Sequence, residues 1–473
     1  MDGSSLSLID IGDLHLKDSD GTRQQALFFA IRKKIVQGLW VKNGKLPSTR
    51  KLSQALNLSR NTVISAYEQL VAEGYLNSQK GSGFYVAVEL PEQYLPEPNS
   101  VQRDSSPKTN FDINRAFAPG VPDLDAFPMA QWQKLLARHM SRTCLLGNQD
   151  IQGSWALRCA LANYLASSRS VSCSPERIII TSGAQQALSI ATMVTLKPGS
   201  KVLMEQPGYA QMRKLIQFQQ YQFEPLYIRE QLGFDVEAVT ASNADALYVT
   251  PSNQYPMGTT LNTEQRGKII NWAVQQSRWI IEDDYDSEFR FDGPPLTSLQ
   301  GLGGEDCVIY TGTFSRILHP SIRLGYLVLP HSLIEPFKTA RHYFDGGLSL
   351  LPQLALAEFM ACGQFTSHVR RMRKIYQQRR DRLNSLIETR FPHILERVES
   401  DGGMHSVYLL PDGYRDSDIC DHAQQHNLGI RALSRFYADE QQQQGLVIGF
   451  AGYNETEMEK GLAALSKVLE TTD

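Results

Sequence analysis

A short glycine-containing turn could bind a phosphate. The sequence Thr181-Ser-Gly-Ala-Gln-Gln-Ala187 follows the apolar run Arg177–Thr181 and opens a helical pattern. Backbone N–H groups at the start of a helix, together with the positive end of the helix dipole, favour a bound anion. A plain glycine turn that only joins a strand to a helix would have the same sequence. The motif alone therefore leaves both interpretations open.

A second stretch that could do chemistry is rich in carboxylates. The apolar run Trp279–Ile281 is followed at once by Glu282, Asp283 and Asp284, and further acids continue to position 288. Acid runs are commonly solvated loops. This one adjoins a pattern typical of a buried strand, which favours carboxylates held at the end of that strand.

The elements that would position these residues indicate an α/β fold with a mostly parallel sheet. From Phe111 onward, short apolar runs of strand length alternate with helix-length amphipathic stretches. The runs are Arg177–Thr181, Lys201–Met204, Ala246–Thr250, Trp279–Ile281, Val308–Tyr310 and Leu324–Leu329. We therefore predict a large domain over residues 113–473. Residues 88–112, rich in Pro, Ser and charge, are predicted to be a linker.

The N-terminal part, residues 20–87, predicts a small helical domain. A first helix over 23–38 has Leu27, Ile31 and Ile35 on one face. Ser48 is placed to cap a second helix, and Ser59 a third. The residues expected to face inward on these two helices are Leu52, Ala55, Leu56, Val63, Ala66, Tyr67 and Leu70. The turn-rich segment 76–86 then predicts a hairpin.

Charge is distributed unevenly between these two regions. Residues 23–86 contain ten Lys or Arg and two Asp or Glu, a balance of +8. The rest of the chain has 37 basic and 48 acidic residues, a balance of −11. A basic small segment joined to an acidic large one suggests a module that binds a polyanion, on a body that does not.

The small domain resembles the winged helix-turn-helix domain of GntR-type regulators. The resemblance rests on Leu46-Pro-Ser48, on Ser59-Arg-Asn-Thr62 and on the hairpin that forms the wing. It implies a double-stranded DNA operator as partner. The residues implied to contact DNA are Arg50, Ser59, Arg60, Asn61 and Thr62, with Lys80 and Gly81 on the wing. Arg60 could pair with a guanine. The alternative, that these residues only cap and solubilise the helices, fits the local charge less well.

The large domain resembles a fold-type I aminotransferase in the form found in MocR-type regulators, where that domain follows a GntR-type reader. In Tyr310-Thr-Gly-Thr-Phe-Ser-Arg316, the family's pyridoxal phosphate motif places its Schiff-base lysine where this chain has Arg316. Such chemistry needs an amine that can lose its proton. A guanidinium stays charged and is a poor nucleophile. The resemblance therefore implies a cofactor pocket without catalytic residues.

The same resemblance implies a set of residues around pyridoxal phosphate. Asp283 would pair with the pyridine nitrogen and keep the ring protonated, and Tyr209 would stack on the ring. Asn253 and Tyr285 would bind the phenolic oxygen. The residues implied to bind the cofactor are Ser182, Ala184, Gln185, Tyr209, Asn253, Asp283, Tyr285, Thr313, Arg316 and Arg323. Binding would be non-covalent at most, or absent.

A second departure concerns the substrate. The family commonly has an arginine for the substrate carboxylate where this chain has Val447, although Arg431 or Arg435 could substitute. These observations favour a homodimeric transcriptional regulator whose aminotransferase-like domain senses a small-molecule effector without covalent catalysis. An active pyridoxal-phosphate aminotransferase carrying a DNA-binding domain is the alternative. A body that binds no cofactor and supplies only dimer contacts is a third.

Other features restrict the class of protein further. The six cysteines show no CxxC spacing, so neither a zinc site nor a disulfide framework is expected. The N-terminus lacks a basic region followed by a continuous apolar core, which argues against a signal peptide. No run approaches the length of a membrane span. We therefore expect a cytoplasmic protein with reduced thiols and no membrane partner.

Overall fold

The structure is a computed structural model that describes residues 22–87, 115–147, 149–229, 233–439 and 443–470, together with residues 9, 14 and 16. The chain folds into two separate units, Met1–Thr109 and Asn110–Asp473. The predicted linker, residues 88–112, lies outside the described residues.

The N-terminal unit has three helices followed by a hairpin. Its elements are α1 (Arg23–Val36), α2 (Thr49–Ala55), α3 (Arg60–Ala72), β1 (Leu76–Gln79) and β2 (Gly83–Val86). The hydroxyl of Ser48 accepts from the N–H of Lys51 at 3.3 Å, and that of Ser59 accepts from the N–H of Thr62 at 3.1 Å. Both predicted helix caps are confirmed, and each provides an acceptor for an otherwise free N–H of the first turn.

A single apolar core holds these helices together. The predicted inner faces of α1 and α3 are confirmed, because Leu27, Ile31, Ile35, Val63, Ala66, Tyr67 and Leu70 are all buried. The prediction for α2 was wrong at one position: Leu52 is buried, but Ala55 is exposed and Leu56 is half-buried. The reason is the length of α2, whose seven residues end at Ala55 and leave room for one well-packed position. The hydroxyl of Tyr67 donates to the carbonyl of Pro47 at 3.0 Å, inside this core.

The large unit is built on an eight-stranded sheet. Its strands are β3 (Ile178–Thr181), β4 (Lys201–Gln206), β5 (Gln222–Arg229), β6 (Gly233–Phe234), β7 (Ala246–Val249), β8 (Trp279–Asp284), β9 (Val308–Thr313) and β10 (Gly325–Val328). Their order is β3-β10-β9-β8-β7-β4-β5-β6. The pairs among β9, β8, β7, β4 and β5 are parallel, whereas β10 and β6 run antiparallel to their neighbours. The predicted mostly parallel sheet is confirmed.

Helices cover this sheet and continue into a smaller C-terminal part. The helices are α4 (Met129–Met140), α5 (Trp155–Arg169), α6 (Ala184–Thr195), α7 (Ala210–Phe218), α8 (Val236–Ala241), α9 (Thr263–Gln276), α10 (Ile334–Phe344), α11 (Leu350–Ala361), α12 (Gln364–Arg390), α13 (Asp416–Gln425) and α14 (Glu455–Glu470). A small antiparallel sheet has the order β11 (Glu396–Arg397), β12 (His405–Leu409), β14 (Gly445–Gly449), β13 (Arg431–Ala432). Among the described helices, none is long and apolar enough to cross a membrane.

The large sheet is buried on both faces, as a parallel sheet requires. On β3, Ile178 and Ile180 pack into a core that includes Leu161 of α5. The intervening Ile179 packs into a different core that includes Leu188 of α6. Alternate side chains of one strand thus enter two cores, which explains why the strands have continuous apolar runs.

Candidate ligand-binding site

A cavity of about 180 Å³ lies at the carboxyl ends of the parallel strands. Open α/β sheets commonly bind ligands at this edge, because the loops that follow several strands converge there. The described residues that line it are Gly183, Ala184, Gln185, Tyr209, Tyr248, Thr250, Tyr255, Asp283, Tyr285, Thr313, Ser315, Arg316 and Arg323. Eight of the ten predicted cofactor residues are in this set. Ser182 and Asn253 lie just outside it.

One end of the cavity has the chemistry of an anion site. Helix α6 begins there after Gly183, whose φ of 103° suits glycine, and no side chain caps the helix among the described residues. Arg323 adds a positive charge to this lining. The N–H of Ser182 donates to the side chain of Gln186 at 2.8 Å, so this N–H is already committed. The first turn of α6 and Arg323 are therefore the donors available to a phosphate.

Asp283 has one satisfied and one unsatisfied carboxylate oxygen. Its Oδ2 accepts from the hydroxyl of Tyr248 at 2.7 Å, whereas its Oδ1 is buried without a hydrogen-bond partner among the described residues. Burial raises the pKa of Asp283 to about 6. A buried acceptor without a donor is unfavourable, so a ligand that presents an N–H at this point would stabilise it. A protonated pyridine nitrogen has that property.

Asn253 acts through Tyr285. Its side-chain nitrogen donates to the hydroxyl oxygen of Tyr285 at 3.1 Å and to Oδ1 of Asp286 at 2.8 Å. Because these two bonds use both amide protons, the amide has none left for a ligand. The hydroxyl of Tyr285 accepts from Asn253, so its own proton remains available to the cavity. The direct donor on this side is therefore Tyr285, oriented by Asn253.

Arg316 reaches into the same space as a partly buried guanidinium. It lies over the ring of Tyr285, with 5.6 Å between its central carbon and the ring centroid. It also approaches the backbone at Gly120, where an added Cβ would stand 1.4 Å from Nη1 of Arg316. Among the described residues, no carboxylate forms an ion pair with it. The position is thus filled by a permanent cation whose donors are largely uncommitted.

Sequence reasoning missed the aromatic cluster that forms one wall. Tyr255 makes edge-on contacts with Tyr209, Tyr285, His405 and Phe436, at centroid distances of 6.0, 5.5, 5.2 and 5.3 Å. Burial lowers the pKa of His405 to about 4, and its neutral ring donates from Nε2 to a carbonyl at 2.9 Å. His405 comes from β12, far away in the sequence, and no local motif marks it.

Strand register shows which residues lie at the position where the family has its substrate arginine. Val447 lies on β14 with Arg431 of β13 as its direct neighbour. Val447 is fully buried among apolar side chains. Burial lowers the pKa of His405 and raises that of Tyr209, and the positive charge of Arg431 has a smaller influence that lowers both pKa values. Arg431 therefore lies near Tyr209, which lines the cavity. Arg435 is exposed and does not line it.

Most of the predicted DNA-contacting residues are exposed, and they lie at the start of α2, at the start of α3 and in the wing. Those with exposed side chains or surfaces are Arg50, Ser59, Arg60, Asn61, Lys80 and Gly81. Thr62 is half-buried, and its hydroxyl lies 2.8 Å from that of Ser59. The turn between β1 and β2 contains Gly81 at a φ of 79°. The wing therefore presents Lys80 beside a turn that suits glycine.

Comparisons with known proteins agree with this architecture. Residues 23–86 match the family of bacterial regulatory proteins described as gntR, and residues 117–465 match aminotransferase class I and II. The probable rhizopine catabolism regulatory protein MocR of Rhizobium meliloti is 35% identical, over 95% of this chain and 94% of its own. The pyridoxine biosynthesis transcriptional regulator PdxR of Corynebacterium glutamicum is 31% identical, over 92% and 93%.

Among solved structures, a kynurenine aminotransferase of Pyrococcus horikoshii superposes with a TM-score of 0.69 and 26% identity. The match covers 76% of this chain and 91% of that one. The large unit thus has the fold-type I aminotransferase fold, and the two relatives named above, which match more than nine tenths of this chain, are named as regulators. The chain belongs to the MocR-type subfamily of GntR transcriptional regulators, in which a GntR helix-turn-helix is joined to an aminotransferase class I and II domain.

Proposed function

We propose that this protein is a DNA-binding regulator whose aminotransferase-like domain senses a phosphorylated pyridine compound, such as pyridoxal phosphate, by reversible binding without transamination. The observation that carries the proposal is Arg316, which stands at the position of the family's covalent anchor inside a cavity otherwise suited to the cofactor. The name of the C. glutamicum relative, a regulator of pyridoxine biosynthesis, points to the same class of ligand.

The donors and acceptors of the cavity match the groups of such a compound. Unpaired Oδ1 of Asp283 would take the protonated ring nitrogen. The first turn of α6 and Arg323 would hold the phosphate, and the hydroxyl of Tyr285 would donate to the ring oxygen. When bound and joined to an amine, a pyridinium ring of this kind supplies an electron sink. The fit argues against a body that supplies dimer contacts alone.

Arg316 separates binding from catalysis. Burial alone would lower the pKa of this guanidinium, but the nearby phenols and Asp286 outweigh that effect. The pKa is therefore raised, and the group stays protonated. A protonated guanidinium has no lone pair with which to attack an aldehyde. The side chain can therefore hold and orient a ligand by hydrogen bonding, but it cannot form the covalent bond that transamination needs.

The N-terminal unit supplies the DNA contacts in this proposal. Arg60 and Asn61 are exposed in the first turn of α3, the part of a recognition helix that enters the major groove. Lys80 lies on the wing, where a cation suits a phosphate.

Two such N-terminal units would bind a two-fold or repeated operator. We propose homodimerisation through the large unit, as in related folds. Sedimentation of the full-length chain at micromolar concentration should show a dimer, and a strict monomer would contradict it.

The sharpest test compares the natural chain with Arg316→Lys. Pyridoxal phosphate added to the natural protein should dialyse away, leave no borohydride-fixed adduct in the cavity and support no transamination of amino acids. Arg316→Lys should retain a visible absorption band and yield an adduct that mass spectrometry assigns to position 316. A stable adduct in the natural chain, at any lysine near the cavity, would overturn the proposal.

A further inference from the structure

We propose that Arg316 makes the cavity selective for the substituent that its pyridine ligand presents beside the ring oxygen. A hydroxyl, aldehyde or carboxylate oxygen is accepted, whereas an ammonium is rejected. This inference rests on the proposed function and goes beyond it, because it assigns Arg316 a positive role as a specificity-determining residue. It predicts which chemical form of the compound is the effector.

The hydrogen-bonding character of Arg316 favours a ligand oxygen. A guanidinium has five N–H donors and no acceptor. Arg316 lines the cavity, and its guanidinium lies over the ring of Tyr285, at 5.6 Å. A ligand oxygen would satisfy some of these donors. An ammonium offers donors alone and a like charge, so it gains no bond and is repelled.

The position of Arg316 relative to the ligand also matters. Three groups define the ligand's orientation: Oδ1 of Asp283 at the ring nitrogen, the start of α6 at the phosphate, and the hydroxyl of Tyr285 at the ring oxygen. In phosphorylated pyridoxine compounds, the variable substituent is on the ring carbon next to the one that bears this oxygen. Arg316 lies over the ring of Tyr285 and stands where the family has the lysine that bonds the aldehyde carbon, so its guanidinium would be on the side of that substituent.

Arg316 also has little room to withdraw. The backbone of Gly120 comes so close that even a Cβ there would overlap Nη1, so this segment closes one side. The ring of Tyr285 lies on another side. An ammonium-bearing ligand could not be accommodated by moving the guanidinium toward either group. The charge therefore stays near the ligand.

The balance of charge along the cavity lining also disfavours an ammonium. Among the described lining residues, Asp283 is the one carboxylate, and Arg316 and Arg323 are cations. Asp283 is committed to Tyr248 and to the ring-nitrogen position. Asp286 accepts from the side chain of Asn253 and does not line the cavity, so it offers an ammonium no direct partner. Arg431 adds a further positive charge nearby.

The test uses two compounds that differ at this one substituent: pyridoxine 5′-phosphate, with a hydroxyl, and pyridoxamine 5′-phosphate, with an ammonium. Neither has an aldehyde, so neither reacts with surface lysines. Isothermal titration of the full-length protein should give an affinity for the hydroxyl compound roughly tenfold higher or more. Equal affinities, or tighter binding of the amine, would overturn the inference.

Two variants separate selectivity from binding. Arg316→Gln removes the charge, and the ratio of the two affinities should fall to within about threefold of one. Arg323→Gln weakens the phosphate contact, so both affinities should fall together while their ratio is kept. A ratio unchanged in Arg316→Gln would overturn the inference. Absence of binding of either compound to the natural protein would instead overturn the proposed ligand class itself.

Discussion

Arg316 and Gly120 are in such close contact that a Cβ on the glycine would stand 1.4 Å from Nη1 of the arginine. Gly120 also has a φ of 73°, a conformation that other residues adopt at a cost. The glycine is therefore required twice, once by its own backbone and once by its neighbour. The space taken by the guanidinium exists because this position has no side chain.

The first prediction follows from this contact. Gly120→Ala should destabilise the large unit by roughly 1–3 kcal/mol, through backbone strain and displacement of Arg316. Gly199→Ala is the matched control, because Gly199 has a φ of 83° and a Cβ added there would meet no atom of the described residues within 4 Å. Urea unfolding measures both. Equal losses in the two variants would show that the contact with Arg316 contributes nothing.

The second prediction concerns pH. Asp283 binds the protonated ring nitrogen best as a carboxylate, which accepts a charge-assisted hydrogen bond from the ring N–H. Burial raises the pKa of Asp283 to about 6. As the pH falls through about 6, Asp283 becomes protonated and loses this role, so affinity for pyridoxine 5′-phosphate should fall. The phosphate also titrates near a pH of about 6. Asp283→Asn isolates its contribution: the variant should bind weakly, with a shallower dependence on pH. A pH profile identical to that of the natural protein would contradict the assignment.

The third prediction distinguishes a base contact from a phosphate contact. On an operator selected from genomic fragments, Arg60→Ala should lower affinity by roughly 1–3 kcal/mol and relax specificity at one base pair. Lys80→Ala should weaken binding to all sequences alike and reduce the salt dependence by about one counterion. Fluorescence anisotropy over a salt series measures both effects. Loss of affinity without loss of specificity in Arg60→Ala would show that Arg60 contacts the DNA phosphate backbone and not a base.

Local patterns predicted most of the central strands. The run Ala246–Thr250 became β7 and Trp279–Ile281 began β8, because strands buried on both faces are continuous apolar runs. Strand β5 was not predicted. Most of its side chains are exposed or half-buried and it contains Pro225, so it lacks both a continuous run and a clean alternation. The antiparallel direction of β10 could not be read, since an apolar run has no direction.

The site residues that could be predicted are polar residues at the end of a buried strand run. Asp283 and Tyr285 lie at the end of a buried strand, and both line the cavity. Gly120 and His405 could not be found in this way, because long-range packing alone brings them to the site. The role of Asn253 depends on which acceptor its protons reach, and that is a matter of distances between side chains.

The bond between the hydroxyl of Tyr67 and the carbonyl of Pro47 has a consequence for the proposed regulation. It joins α3 to the residue before the cap of α2, within a core in which Tyr67 is fully buried. The N-terminal unit, whose helix α3 is about 20 Å long, is thus expected to move as a rigid body. An effector would then leave base preference unaltered. In a dimeric regulator the effector would instead change which spacing between the two half-sites is tolerated. The response to the effector would then depend on half-site spacing and not on base sequence.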